Sequence, residues 1–306
     1  MVGTVEGMVG KDAPTANTTV ASKRPRPGGD LTETGRGRSS LVVIPTYNEV
    51  QNLPHLLERV MEHDEFEVLV IDDSSPDGTG EVADRFAEQF SDRISVLHRT
   101  AKLGLGSAIA TGLRYALRHE YRFVFHMDAD LSHDPSVLPP MLRVLEQADI
   151  VVGSRYLAGG TTVRRARHRE FLSRLASKYA RAVLGLPLSD PTGGYRGYRR
   201  QVLEALDLDQ VASRGYAVQI ELNHRCHQAG FRIEEFPIRF HERDAGRSKM
   251  TLGIVFEALF VVAALRLTGT SVDEAPQPAG LRRPTGSSAG QQGLSIRPPE
   301  LKDSPR

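Results

Sequence analysis

The sequence predicts an α/β domain: a mostly parallel sheet flanked by helices. Three observations carry that expectation. Short apolar runs of strand length recur between residues 40 and 152. Stretches with apolar residues at helical spacing alternate with them about every 25 residues, the pattern of a parallel sheet with helices on both faces. The unusual polar residues gather just after the apolar runs, where ligands of such sheets sit, outside the carboxyl ends of the strands.

Taken in order, Leu41-Val42-Val43-Ile44 is apolar throughout and stops at Pro45, the signature of a strand buried on both faces. Leu53, Leu56, Leu57 and Val60 give residues 51–62 a helical stripe. Phe66 to Ile71 reads as a second strand, 79–90 as an amphipathic helix, and Ile94-Ser95-Val96-Leu97 as a third strand. A helix over 106–118, a strand at Phe123-Val124-Phe125, a further helix and a strand at Asp149-Ile150-Val151-Val152 complete the alternation.

Composition bounds the rest. With 306 residues, 40% hydrophobic and 25% charged, the chain has ordinary globular values. Its formal net charge of +1 excludes a strongly basic nucleic-acid binder on bulk grounds. Cys226 stands alone, so an internal disulfide and a cysteine-based zinc site are both excluded; a buried small hydrophobe is the expected role. Residues 1–39 and 268–306, rich in Gly, Pro, Ser and Thr, cannot bury enough apolar surface to offset chain entropy and read as disordered tails. The N-terminus carries no apolar run of the signal-peptide kind. A folded domain over 40–250 and an apolar segment over 251–267 remain.

Four polar turns follow the predicted strands: Pro45-Thr46-Tyr47-Asn48-Glu49, Asp72-Asp73-Ser74-Ser75-Pro76-Asp77-Gly78-Thr79, Asp128-Ala129-Asp130-Leu131-Ser132-His133, and Gly153-Ser154-Arg155-Tyr156. Carboxylates so gathered repel one another unless a cation or a donor-rich ligand joins them. Asp128 and Asp130, one residue apart at a strand end, can both turn toward one hard divalent ion such as Mg²⁺ or Mn²⁺, which takes one or two carboxylates plus phosphate oxygens and waters. An Asp-x-Asp tripeptide alone is usually a solvated loop or a helix cap. The buried strand before it and the acidic turns beside it favour the metal. Asp77 and Thr79 suit a turn and helix cap. Asp73 is placed to accept from a base or ribose, Tyr47 to stack on a base, and Glu49 to accept from ribose hydroxyls or to serve helix entry. Gly104-Leu105-Gly106 follows the third strand and lacks a third glycine, so it reads as a tight turn rather than a dinucleotide loop.

Together with Lys-Leu-Gly-Leu-Gly at 102–106, Leu-Ser-Arg at 172–174, Asp-Pro-Thr-Gly-Gly-Tyr-Arg at 190–196 and Arg-Asp-Ala-Gly-Arg-Ser-Lys at 243–249, these turns resemble the polyprenyl-phosphate mannose synthases, within glycosyltransferase family 2. The resemblance runs from Leu41 to Lys249. It implies the GT-A nucleotide-sugar-binding fold, GDP-mannose as donor, a polyprenyl (dolichyl-type) monophosphate as acceptor, and inversion at the sugar. It implies further that Pro45, Tyr47, Glu49, Ile71 and Asp73 hold the nucleoside, and that Asp128, Ala129 and Asp130 hold the metal and diphosphate. Arg155, Arg243 and Lys249 would surround the phosphates, with Asp128, Asp130 and Arg155 carrying catalysis. Arg169 and Ser173 align with the acceptor-phosphate segment. Position 132, Gln in some members, is Ser here, which leaves a third metal ligand from that position in question.

Two segments bear on the lipid. Residues 163–183 combine Arg164, Arg165, Arg167, Arg169, Arg174, Lys178 and Arg181 with Phe171, Leu172, Leu175, Tyr179 and Val183 at helical spacing. This reads as a helix seeking anionic headgroups, or as an ordinary half-buried helix with a solvated basic face. Residues 252–265 are strongly apolar yet shorter than the roughly 20 residues a spanning helix needs. They suit an interfacial helix, a docking face for an integral-membrane partner, or packing back onto the domain. Peripheral attachment on the cytoplasmic side of the membrane is the expectation. Rivals are transfer of glucose or an aminosugar on the same scaffold, and a non-catalytic nucleotide-sugar binder.

Overall fold

The computed structural model describes residues 39–163, 167–206, 208, 217–241 and 261–267, without the side chains of 167–169. Its elements are β1 (Ser40–Thr46), α1 (Leu53–Met61), β2 (Phe66–Asp72), α2 (Thr79–Gln89), β3 (Ile94–His98), α3 (Leu105–Arg118), β4 (Phe123–His126), α4 (Leu138–Leu145) and β5 (Ile150–Ser154). There follow β6 (Thr161–Val163), α5 (Arg167–Leu184), β7 (Arg196–Arg199), α6 (Arg200–Ala205), α7 (Ala217–Gln228), β8 (Ile233–Pro237) and β9 (Arg239–His241). Every strand and helix expected between residues 40 and 154 is present within a few residues of its expected bounds.

Seven strands form one sheet in the order β3-β2-β1-β4-β7-β5-β8, and β6 pairs with β9 in a small second sheet. Pairing within the large sheet is parallel except around β7, which runs antiparallel to both β4 and β5. The apolar runs explain why the inner strands bury both faces. Val42 and Ile44 of β1 point into a core shared with α1, α2 and α4, whereas Leu41 and Val43 point into the opposite core with α3, α6 and α7. Each large apolar side chain so buried stabilises the fold by about 1.5–3 kcal/mol. Gly112 lets α3 lie directly on the sheet, since a Cβ there would stand 2.2 Å from Val43 Cγ1.

Past β5 the chain adds a third layer. α7 is buried nearly all round, including Gln219, Glu221, Asn223 and His224. Val218, Leu222 and Cys226 face the sheet, while Ile220 packs with Ala180, Leu184 and Leu186 and with Val262 and Leu265. The described end of the apolar C-terminal stretch therefore packs back onto the domain through Val262 and Leu265, although Leu267 stays exposed. Cys226 is buried as expected, and burial pushes its thiol pKa up to about 12. Among the described residues no helix is long and apolar enough to cross a membrane.

Candidate active site

The site is assembled from strand ends, and three of its loops turn through left-handed backbone at non-glycine residues. Asn48, Ser74 and Leu131 have φ of 59°, 60° and 62°. Each stands one residue after a predicted site residue: Tyr47, Asp73 and Asp130. Such a conformation costs a leucine about 1–2 kcal/mol, and strain of this kind collects where surrounding structure fixes a functional turn.

At the end of β1, Thr46 Oγ1 donates to the Ile71 carbonyl at 3.2 Å, joining the turn that holds Pro45 and Tyr47 to β2. Glu49 is buried and takes part in helix entry: its amide donates to Thr79 Oγ1 at 2.9 Å and its carboxylate accepts from Asn52 Nδ2 at 2.8 Å. Asp77 accepts from the amide and hydroxyl of Thr79 and from the Val50 amide. Its slight burial raises its pKa, but those hydrogen bonds outweigh the effect and hold it below the ordinary value. The turn role expected of Asp77 and Thr79 is thus what the chain shows, whereas the cap position of α2 falls to Gly78, which carries no side-chain cap bond.

Asp73, at the end of β2, is buried and already engaged. Its oxygens accept from the amides of Leu103 and Gly104 at 3.0 and 2.8 Å, and Arg99 Nη1 lies 3.1 Å away. Gly104, at φ +91°, supplies backbone that other residues rarely adopt and so brings its amide to the carboxylate. Burial lowers the Arg99 pKa, and Asp73 only partly restores it. Lys102 Nζ stands 3.8 Å from the centre of the Tyr47 ring, so a cation lies on the aromatic face expected to receive a base.

Asp128, half-buried, and Asp130, buried, follow β4 by a single turn. Asp130 Oδ1 accepts from the Ser132 amide at 3.1 Å, and the Asp128 amide donates to His133 Nδ1 at 3.1 Å. That bond puts the proton of the neutral ring on Nε2. Burial lowers the His133 pKa against the raising pull of Asp128 and Asp130, which keeps the ring neutral. Its plane stacks on Tyr195 at 4.9 Å. Facing the pair is Gly194, where a Cβ would stand 3.5 and 3.7 Å from the Asp128 carboxylate oxygens. The bare backbone thus leaves a cradle beside the carboxylate.

Among the described residues no group of three or more His, Cys, Asp or Glu could hold a metal. Two carboxylates beside an open cradle nevertheless fit Mg²⁺ or Mn²⁺, whose remaining positions go to phosphate oxygens and water. The Ser132 hydroxyl, buried without a partner, adds an oxygen at that turn.

Arg155, at the end of β5, is nearly fully buried and locked to Asp190. Nε and Nη2 donate to the two Asp190 oxygens at 2.6 and 2.8 Å, the Arg155 amide adds a third bond at 3.1 Å, and Nη2 also donates to Thr192 Oγ1 at 2.8 Å. Burial alone would lower the Arg155 pKa and raise that of Asp190, but their pairing outweighs it in both cases. Both stay charged. Asp190 is held in turn by Glu235, which accepts from the amides of Ser189 and Asp190 at 2.7 and 2.9 Å. The guanidinium expected at the phosphates is therefore spent first on an internal carboxylate.

Beside it runs α5, with Ser173 and Ser177 buried on its inner face and Phe171, Leu172 and Leu175 exposed. Ile71 and Ala129 are buried as well. The side chain of Arg169, and Arg243 and Lys249 altogether, lie outside the described residues. Sequence reasoning assigned no role to Arg99, His133, Tyr156 or Asp190. The Asp190-to-Arg196 motif was the available signal for the last, but its partner Arg155 stands 35 positions away.

Residues 41–207, more than half of the chain, match the family model described as glycosyl transferase family 2. A protein of Mycolicibacterium smegmatis named polyprenol monophosphomannose synthase is 46% identical over 232 residues, covering 75% of this chain and 88% of that one. One of Micrococcus luteus named undecaprenyl-phosphate mannosyltransferase is 48% identical over 221 residues, covering 72% and 90%. Among solved structures, Staphylococcus aureus TarS 1-349 in complex with UDP aligns at a TM-score of 0.50 and 17% identity, over 78% of this chain and 68% of that one. That likeness concerns the fold alone, which is of the GT-A type. By its family model and by its identity with those two relatives, the chain belongs to glycosyl transferase family 2.

Proposed function

We propose that the enzyme transfers mannose from GDP-mannose to a polyprenyl monophosphate with inversion, giving polyprenyl-phosphate β-mannose and GDP. The observation that carries this reading is the placement of Asp128 and Asp130 after β4 and of the buried Arg155–Asp190 pair after β5, with only β7 between those two strands, and Ser173 of α5 bonded to the neighbouring Tyr156. The names of the two relatives support both the sugar and the lipid class. In this reading Pro45, Tyr47, Glu49, Ile71 and Asp73 hold the nucleoside, and Asp128, Ala129 and Asp130 receive the diphosphate with its metal. Arg155, Arg243 and Lys249 serve the phosphates, while Arg169 and Ser173 take the acceptor phosphate.

The acceptor phosphate is an anion at neutral pH, so no strong general base is required. The residues instead align its oxygen with the anomeric carbon and set donors around the departing diphosphate. A divalent ion held by Asp128 and Asp130 would supply neutralisation of the charge on GDP. Lys102 must leave the Tyr47 face, or share it, if a base stacks there.

Product release belongs at a membrane surface, because the lipid chain cannot enter water. Phe171, Leu172 and Leu175 are exposed on α5 beside Arg174, Lys178 and Arg181, which suits peripheral contact with anionic lipid on the cytoplasmic side. An integral-membrane partner on 251–267 is the companion proposal. Release of the protein from membranes that deletion of 251–267 leaves unchanged would count against that partner.

The test is transfer of label from GDP-mannose into a lipid extract, with and without chelator. Labelled lipid that disappears on chelation is the expected result. A panel of nucleotide-sugars in which another donor alone labels the lipid would overturn the choice of mannose. Donor binding with no GDP released would favour a non-catalytic binder.

A further inference from the structure

We propose that Tyr156 is a positioning residue for the acceptor phosphate, its phenol fixing the direction in which Ser173 presents its proton. The inference rests on the reading of Ser173 as an acceptor-phosphate residue. Tyr156 OH lies 2.9 Å from Ser173 Oγ, and Ser173 is buried on the inner face of α5. A serine hydroxyl has one proton and two lone pairs. When the phenol donates into one lone pair, the serine proton is left to be given elsewhere, and an anion beside it takes that proton's hydrogen bond. Without the phenol, the rotor has no such constraint.

The phenol is itself held in place. Tyr156 follows Arg155 directly, and Arg155 is fixed through both its backbone and its guanidinium to Asp190. The guanidinium carbons of Arg155 and Arg174 lie 5.1 and 4.7 Å from the Tyr156 ring centre, close enough to restrain the ring. One turn further along α5, Ser177 Oγ lies 3.4 Å from Thr192 Oγ1. Thr192 donates to Asp190 at 3.0 Å and accepts from Arg155 at 2.8 Å. Ser177 is thereby joined through the Thr192 hydroxyl to the buried ion pair, and Ser173 through the Tyr156 phenol to the residue next to Arg155. The helix carrying the acceptor side chain is registered against the strand end that faces the donor, and Tyr156 is the nearer of the two bridges to Ser173.

The test is steady-state transfer from labelled GDP-mannose to a detergent-solubilised polyprenyl monophosphate, with wild type, Tyr156→Phe, Ser173→Ala and the double variant. Phenylalanine keeps the ring between the guanidinium groups and removes only the hydroxyl. The expected result is a rise of about five- to tenfold in the KM for the lipid, as for one lost hydrogen bond. The KM for GDP-mannose stays unchanged, and the double variant is no worse than either single one. Wild-type transfer with an unaltered lipid KM in Tyr156→Phe overturns the inference alone, as do losses that multiply in the double variant. A rise in both KM values with a lowered Tm overturns it in favour of a purely structural role. Failure of the wild type to label the lipid overturns the inference together with the functional reading beneath it.

Discussion

Two carboxylate–guanidinium pairs stand on opposite sides of the site, and they are built to different ends. Asp190 grips Arg155 through two side-chain bonds and one backbone bond, and the pairing outweighs the cost of burial for both charges. Asp73 meets Arg99 at a single 3.1 Å contact, spends its other bonds on the amides of Leu103 and Gly104, and leaves Arg99 with a lowered pKa. The first pair holds a side chain. The second holds a loop. Rigidity is thus concentrated on the side proposed for the phosphates, whereas the side proposed for the nucleoside is arranged around a segment that ends in exposed Lys102 and Leu103.

That contrast is most severely tested by Asp190→Ala, which leaves the Arg155 charge buried without its carboxylate. A loss of about 3–5 kcal/mol in unfolding free energy is expected, read by denaturant melts. Because the Asp190 pKa is depressed on folding, its contribution is complete above the ordinary carboxylate value and is lost as pH falls through the lower folded value. The gap in Tm between wild type and variant should therefore hold steady from neutral pH into mild acid and close only in stronger acid. A gap that closed near neutral pH would break the account of the pair.

Asp130→Ala comes next. Turnover should fall by about a hundredfold or more, comparable to removing one transition-state stabiliser. Near-normal transfer in saturating Mg²⁺ or Mn²⁺ would sink the metal assignment.

On the side proposed for the nucleoside, Asp73→Asn trades one acceptor for a donor facing an amide. It should cost about 1–2 kcal/mol, seen mainly as a raised KM for the donor and faster amide exchange at Leu103 and Gly104. An effect on stability as large as that of Asp190→Ala would erase the distinction between the two pairs. The smallest effect belongs to Leu131→Gly, where relief of left-handed backbone is offset by loss of the side chain's packing against the core, so that stability changes by no more than about 1 kcal/mol, while turnover falls through looser placement of Asp130.

The strands from β1 to β5 were legible because each is an apolar run that buries both faces, a local property. β7 was not. Its sequence, Arg196-Gly197-Tyr198-Arg199, carries charge at both ends, and Arg196 is wholly buried only because carbonyls of Pro191, Gly193 and Gln219 and the Asn223 amide oxygen receive its guanidinium. Two of those acceptors lie on α7, a helix whose buried polar residues gave it no amphipathic stripe to find. The site divides in the same way. Asp128 and Asp130 stand one residue apart along the chain, so the sequence alone could single them out, and Arg155 was singled out by its motif. Its neutralisation by Asp190 depends on a contact that only the folded sheet creates.

Cys226 offers a practical consequence of the third layer. The chain has no other cysteine, and this one is buried between α7 and the sheet with its thiol pKa raised to about 12. At neutral pH almost none of it is thiolate, the form that reacts with alkylating reagents. The native sequence is therefore a silent background for thiol chemistry. A single cysteine placed at Phe171, Leu175 or Leu103 would be the sole site of labelling, so a fluorophore could report lipid contact at α5 and loop movement over the nucleoside separately, in otherwise unaltered protein.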